Sequence, residues 1–308
     1  MGKLHITGID IGHNSIKAVA LKSTHATYTL AGCHEIAVTH RVFSDNHTLN
    51  YQEIVKKLKE LRKGLPWFYR HVALSIPENA VITKTLQLES PVLQGEEIWS
   101  ITEALSRQVA FSLQDVQIDF VPSASEEGMY HVYIIKRDMV EKWASILHKA
   151  GFAPFYLATD SQARALLWQQ TLGEQEADTW LVDVGVVHTL ICGSASTQMP
   201  FFKTLSHVPL GSSSQSEDES IHALVLQLQR EVQLFRSVHG ADKVQALALV
   251  GENAHRLMEK GSQQLDVPCR ILTSLPLLSD SRLYGVPWAG ALGIGLCAQR
   301  WWASRYAR

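Results

Sequence analysis

Apolar positions recur along this chain with two periods, and the switches between them mark out its elements. His5 to Ile11 and Ile16 to Leu21 are short apolar or β-branched runs separated by the turn formers Gly12, His13, Asn14 and Ser15, the pattern of a β-hairpin. Tyr28 to Val38 continues as strand, and Val42 to Asn50 is polar and turn-rich. Over Tyr51 to Lys63 the period becomes helical. Ile54, Leu58 and Leu61 share one face, Lys56, Lys57, Lys59, Arg62 and Lys63 turn outward, and Gly64 with Pro66 ends the helix. His71 to Ile76 reads as a buried strand, and Pro77-Glu78-Asn79 breaks it.

Beyond that break the spacing predicts a strand over Val81 to Leu88, a helix over Glu96 to Val109 and strands over Val116 to Val121 and Tyr130 to Ile135. A second helix is expected over Asp138 to Ala150, with Asp138 as N-cap, Glu141 in the capping-box relation and Gly151 as terminator. This strand-helix-strand-strand-helix block reads as an inserted unit, from which Phe155 to Leu157 returns to the first domain. Asp160 to Trp168 reads as helix and Gly173 to Asp178 as a polar linker. His207 to Glu219, with its Gly-Ser-Ser-Ser-Gln-Ser-Glu-Asp-Glu run, reads as loop. Glu219 to Ser237 is the clearest helix, a core one, and Ala246 to Val250 is a buried strand leading into a turn and a helix. Pro287 to Leu296 is a closing helix rich in small residues. The basic, aromatic tail Arg300 to Arg308 either packs its tryptophans on the body or touches a membrane or partner.

With 308 residues, 46% hydrophobic, the chain can bury a large core and should form more than one domain. A formal net charge of -2 gives no nucleic-acid footprint. Cys33, Cys192, Cys269 and Cys297 are scattered without metal-ligand spacing and read as reduced core thiols. The histidines lack companion acids at ligand spacing, and there is no Gly-x-Ser-x-Gly. No signal peptide and no membrane-spanning run are seen, so a cytoplasmic protein is expected, reaching a membrane only by binding something embedded there.

The candidate chemistry lies in a repeat. Gly8-Ile9-Asp10-Ile11-Gly12, running on through Lys17 to Val19, is matched by Leu181-Val182-Asp183-Val184-Gly185, running on through Val186, Val187, His188 and Thr189 to Cys192. Taken singly, either is an ordinary surface hairpin with one Asp. Twice over, apolar-Asp-apolar-Gly between apolar runs suggests two hairpins facing one another across a nucleotide cleft, with turn N–H groups forming a small positive concavity for phosphate. In that reading Asp10 holds a hydrated metal ion and Lys17 reaches a phosphate as a point charge.

These residues resemble the actin-like ATPases, and the whole chain is similar to the PilM/HofM family of type IV pilus assembly proteins, which is related to FtsA. Val81-Ile82-Thr83-Lys84-Thr85, Ala110 to Phe120 and Tyr156 to Ala163 carry the more specific likeness, which runs with gaps from Ile6 to Leu296. The resemblance implies an α/β, actin-like ATPase fold with two main domains flanking a nucleotide cleft and an inserted subdomain. Residues 1–80 plus 154–177 would form the first domain, with helix 287–305 returning to it; 81–153 would form the insert and 178–286 the second domain. It also implies ATP and Mg²⁺ as candidate cofactors. Gly12, His13, Asn14, Ser15 and Lys17 would clasp phosphates opposite Gly185, Val186, Val187, His188 and Thr189; Asp10 and Asp183 would hold Mg²⁺ through water; Gln162 would position water; Gly251 and Glu252 would sit at the adenosine.

The first reading is an assembly protein that binds its inner-membrane partner in an ATP-dependent way; three departures from the family pattern favour the alternative, a degenerate pseudo-ATPase acting purely as a peptide-binding scaffold. A single Gly251 stands where the superfamily carries a Gly-Gly pair, Val186-Val187-His188 replaces a small hydroxylated turn, and the region between Gly211 and Ile221 is short. Gln162 also replaces an acid. A weak ATPase at most is expected, and a small-molecule kinase of the same superfold is the least favoured reading. The partner implied is the N-terminal cytoplasmic tail of a PilN-like inner-membrane protein, docking between main body and insert beside Val81, Ile82, Thr83, Lys84, Phe111 and Leu113. This would hold the protein peripherally at the inner membrane in a pilus or DNA-uptake machine. Self-association is a further candidate, with neither direct nucleic-acid contact nor a transmembrane segment expected.

Overall fold

In the computed structural model, residues 5–23, 28–38, 51–88, 95–123, 126–194, 200–210, 214–273 and 287–306 are described. The expected loop Val42 to Asn50 lies outside them. The chain divides into a larger unit, 1–76 with 150–308, and a smaller one, 77–149. It opens with β1 (Ile6–Ile11), β2 (Ser15–Ser23), β3 (Tyr28–Ala37), α1 (Tyr51–Lys63) and β4 (His71–Ile76). The smaller unit follows as β5 (Val81–Gln87), α2 (Glu97–Ser106), β6 (Val116–Pro122), β7 (Met129–Lys136) and α3 (Arg137–Lys149). The larger unit resumes with β8 (Ala153–Thr159), α4 (Asp160–Thr171), β9 (Thr179–Val184), β10 (His188–Ser194) and β11 (Pro200–Ser206). It ends with α5 (Ser214–His239), β12 (Ala246–Val250), α6 (Ala254–Gly261), β13 (Cys269–Ile271) and α7 (Ala289–Tyr306).

The larger unit repeats one topology twice. Its sheets run β3-β2-β1-β4-β8 and β11-β10-β9-β12-β13, each an antiparallel three-strand meander followed by two parallel strands. Asp10 lies opposite Lys17 and Asp183 opposite Leu190, so the two aspartates end equivalent strands. The smaller unit is inserted between β4 and β8, where the second half of the repeat carries α6 between β12 and β13.

The helices that follow the last strand of each repeat, α4 and α7, pack together. A Cβ on Gly293 would come within 2.3 Å of the Ala163 carbonyl oxygen, and one on Gly8 within 2.0 Å of that of Ala291. These glycines let α7 lie against α4 and directly on β1, and a core of Ile6, Val19, Leu167, Leu181, Val250 and Leu292 closes around them. A second core joins α5 to the other sheet, with Trp180 stacked on Phe201 at 5.2 Å and edge-on to Phe235. Trp301 and Trp302 pack at 6.1 and 6.3 Å from Phe155, and the Arg305 guanidinium lies over Trp301, so the tail's tryptophans join the body. Burial pushes the Cys297 thiol up to about 12 against the pull of Arg300, and raises that of Cys192 as well.

The smaller unit is a β5-β7-β6 antiparallel sheet whose core joins Leu86, Val132 and Ile134 to Ile101 and Leu105 of α2. The Arg137 guanidinium donates to the carbonyls of Gln114 and Val116, fixing the 3-10 turn Leu113–Asp115.

Three sequence expectations are corrected. Helix α5 begins at Ser214, not Glu219, because serine and acidic residues suit a helix's positive first turn as well as a loop. Helix α3 leaves β7 directly at Arg137, so Asp138 lies inside its first turn and does not cap it. Strand β11 was not anticipated: it begins at a proline, which edge strands tolerate.

Candidate functional site

Both hairpins close tightly at the carboxyl ends of β1 and β9. The Gly12 N–H donates to the Ser15 carbonyl at 2.9 Å and the Gly185 N–H to that of His188 at 3.0 Å, so both N–H groups serve their own turns. In the second turn the carbonyls of Val186 and Val187 accept from the N–H groups of Leu210 and His207. His13 and Asn14 stand exposed at the first tip. Buried Thr189 shares a 3.1 Å hydrogen bond with His207, and His188 one of 3.2 Å with Ser206. Burial, reinforced by His207 and His13, holds the His188 imidazole below its usual range, so near neutral pH this tip carries little positive charge.

Asp10 and Asp183 do converge, but on a side chain that the sequence reading missed. Buried Arg164 of α4 donates from Nε to Asp183 Oδ2 at 2.8 Å and from Nη2 to Asp10 Oδ2 at 3.4 Å; its Nη1 reaches Asp160 Oδ1, one helical turn back, at 3.5 Å. Burial disfavours the guanidinium charge, but Asp10, Asp183 and Asp160 more than reverse this and hold Arg164 firmly cationic. Asp160 accepts a close hydrogen bond from Ser75 Oγ. Packing around its carboxyl raises the Asp160 pKa from 3.8 to about 6, with Asp10 and Asp183 adding to the rise and Arg164 and Ser75 opposing it, although a third of the side chain still meets solvent. The first turn of α7 closes over this set: a Cβ on Gly290 would fall 2.0 Å from Asp10 Oδ2 and 2.6 Å from Arg164 Nη2.

A second ion pair ties the two halves of the repeat. Lys17, buried on β2, is in close contact with the Glu252 carboxylate, which also accepts from Ser15 Oγ at 3.2 Å; Glu35 lies 3.8 Å from Lys17. The loop carrying Glu252 is fixed to the end of β9. The Asn253 N–H donates to the Val184 carbonyl and its Nδ2 to the Gly185 carbonyl, both at 2.9 Å. Gly251 has φ +98°, and its absent Cβ would point at Asp183 Oδ1 (2.4 Å) and at the Val184 backbone, toward the protein.

In the unliganded chain the residues assigned to ATP with Mg²⁺ are engaged with one another. The carboxylates assigned to the metal already face a fixed cation, Arg164. The lysine and hydroxyl assigned to phosphate are engaged by the carboxylate of Glu252. Gln162 makes a reciprocal capping box with Thr159, its Oε1 accepting from the Thr159 N–H at 3.1 Å, and so is turned to the helix end. The spacing of Asp160 and Arg164, four apart on one helix, was the available signal for the ion-pair set.

The residues expected to meet a partner all belong to the smaller unit. Val81, Ile82, Thr83 and Lys84 lie on edge strand β5, which pairs only with β7 among the described residues. Ile82 is 48% and Phe111 37% exposed, while Leu113 packs against the unit's core.

Asp160→Asn is expected to keep the fold and change its pH response. A carboxyl whose folded pKa lies above its unfolded value stabilises the protein fully below about pH 4, and that contribution is lost as pH rises through about 6. Urea midpoints across this window should fall less steeply in the variant than in the parent; parallel slopes would contradict the assignment.

The family model of type IV pilus assembly protein PilM matches residues 8–205. No curated protein sequence matches the chain. Among solved structures the chain is similar to the PilM–PilN type IV pilus biogenesis complex, at 18% identity and TM-score 0.73 over 97% of this chain and 99% of that one. It is also similar to the cytoplasmic domain of EpsL, an inner-membrane component of the type II secretion system of Vibrio cholerae (10%, TM-score 0.50, 95% of each chain). A third is the ethanolamine utilization protein EutJ from Carboxydothermus hydrogenoformans (13%, TM-score 0.51, 96% of this chain and 90% of that one). The shared architecture is the actin-like ATPase fold.

Proposed function

The chain belongs to the family of type IV pilus assembly protein PilM, and from that premise we propose that it is a pilus-assembly scaffold that docks the N-terminal cytoplasmic tail of a PilN-like inner-membrane protein and needs no bound nucleotide to do so. The observation that carries this reading is Arg164, whose guanidinium stands between Asp10 and Asp183 and supplies internally the positive charge that a metal would otherwise bring. The Lys17–Glu252 pair acts in the same sense, linking the two halves of the repeat without a phosphate.

The docking surface is placed on the smaller unit. A short extended peptide gains main-chain hydrogen bonds along an edge strand and specificity from apolar side chains, which suits β5 with its exposed Ile82, and exposed Phe111 belongs to the same unit. The partner, in this reading, keeps the protein at the cytoplasmic face of the inner membrane.

Calorimetry tests both halves. Titration of ATP with Mg²⁺ into the folded protein is expected to give no saturable binding up to about 1 mM. The partner's tail peptide should bind equally with and without nucleotide, and Phe111→Asp should abolish that binding while leaving the unfolding midpoint in place. Micromolar ATP binding would overturn the nucleotide-free scaffold. Unchanged peptide binding by the Phe111 variant would overturn the docking surface.

A further inference from the structure

The turn after α1 exposes two aromatic side chains at the end of the helix's basic face. Trp67 is 78% and Phe68 45% exposed, although neighbouring Tyr69 and Leu65 are buried. The turn is held rigidly: the Arg62 guanidinium donates to the carbonyls of Leu65, Pro66 and Trp67, the Tyr69 N–H donates to the Pro66 carbonyl, and Phe68 packs edge-on to His5. Trp67 is therefore presented outward by a fixed backbone and not left loose.

Lys56, Lys59 and Lys63 stand at helical spacing on the side of α1 away from buried Ile54, Leu58 and Leu61, and among the described residues they form no ion pair. Lys63 also borders the groove lined by Trp67 and Arg70, so the lysine stripe runs into the aromatic turn. Residues 51–70 hold six basic and two acidic side chains in a chain whose formal net charge is -2, so positive charge is concentrated here against the overall balance.

A charged helix face alone is ordinarily just solvated. Outward tryptophan beside exposed lysines is the composition of a membrane-water interface, where the indole sits among headgroups and lysines meet anionic lipid phosphate. We infer that this face, Lys56, Lys59, Lys63, Trp67, Phe68 and Arg70, is a peripheral binding surface for an anionic lipid bilayer. The inference is independent of the nucleotide and of the peptide-docking surface, since none of its residues belongs to either.

Cosedimentation of the full chain with vesicles tests it, using phosphatidylcholine alone and phosphatidylcholine containing phosphatidylglycerol. Binding is expected only to the anionic vesicles and should fall steeply as salt is raised. Lys59→Glu/Lys63→Glu should weaken it about tenfold or more, and Trp67→Ser should weaken it several-fold at unchanged charge. Lys22→Glu/Lys142→Glu, a charge-matched control on exposed lysines elsewhere, should have little effect, and far-UV circular dichroism should be the same for all. Equal losses in the control, indifference to Trp67, or binding of soluble polyglutamate without binding of vesicles would each overturn the inference.

Discussion

Arg164→Ala is expected to cost about 3–5 kcal/mol of stability near neutral pH, because the substitution leaves Asp10 and Asp183 facing one another in a largely buried site with no cation between them. The cost comes from the stranded carboxylates more than from the lost contacts, so it should depend on pH. Arg164 opposes the rise of the Asp160 pKa, so without it that carboxyl should protonate above about 6 and relieve part of the repulsion. The deficit relative to the parent should then shrink as pH falls from neutral toward 5. Arg164→Lys keeps one charge but not the planar fork that reaches three carboxylates, and should fall between parent and Ala. Asp183→Asn placed in the Ala variant should return part of the loss, since it removes one of the charges left unpaired. Urea unfolding of the set decides the matter. An Arg164→Ala variant within about 1 kcal/mol of the parent would mean that the site does not depend on this cation.

Local pattern and long-range chemistry were legible to different degrees. The first hairpin, α1 and most of α5 could be read because each element's own apolar spacing defines it, and Asp10 and Asp183 could be matched because the repeat sets them at the ends of equivalent strands. The ion pairs could not be read in the same way. Arg164 meets Asp10 across 154 residues of chain and Lys17 meets Glu252 across 235, separations at which no local period operates. The sequence therefore offers charged groups without showing that they satisfy one another, and a ligand is the natural way to account for them. Arg164 was further concealed by its surroundings, Ala163 on one side and Ala165-Leu166-Leu167 on the other, which read as an apolar helix packed near the cleft. The start of α5 was misread for a simpler reason: serine and acidic residues are favoured both in loops and in the first turn of a helix, and composition alone does not separate the two.

Gly251 shows how a residue typical of ligand sites can be required by packing instead, and Gly251→Ala is expected to cost about 2–5 kcal/mol in the unliganded protein. Two effects add. At φ +98° an L side chain is strained, by about 1–2 kcal/mol. The new Cβ would also lie 2.4 Å from Asp183 Oδ1 and 2.6 Å from the Val184 nitrogen, and forcing an atom into such space costs about 1–3 kcal/mol more. Gly151 separates the two effects, since it has a similar φ of +87°, lies in the same unit, and has no atom within 4 Å of its missing Cβ. Gly151→Ala should therefore show the backbone strain alone, about 1–2 kcal/mol. The excess in Gly251→Ala should be coupled to Asp183, because the added methyl displaces the carboxylate that Arg164 holds at 2.8 Å. A glycine kept only for contact with adenosine predicts a different result: equal losses at positions 251 and 151 in the absence of nucleotide. That result would mean that the loop can move away from β9, and that Asp183 is less firmly set against Arg164 than its geometry indicates.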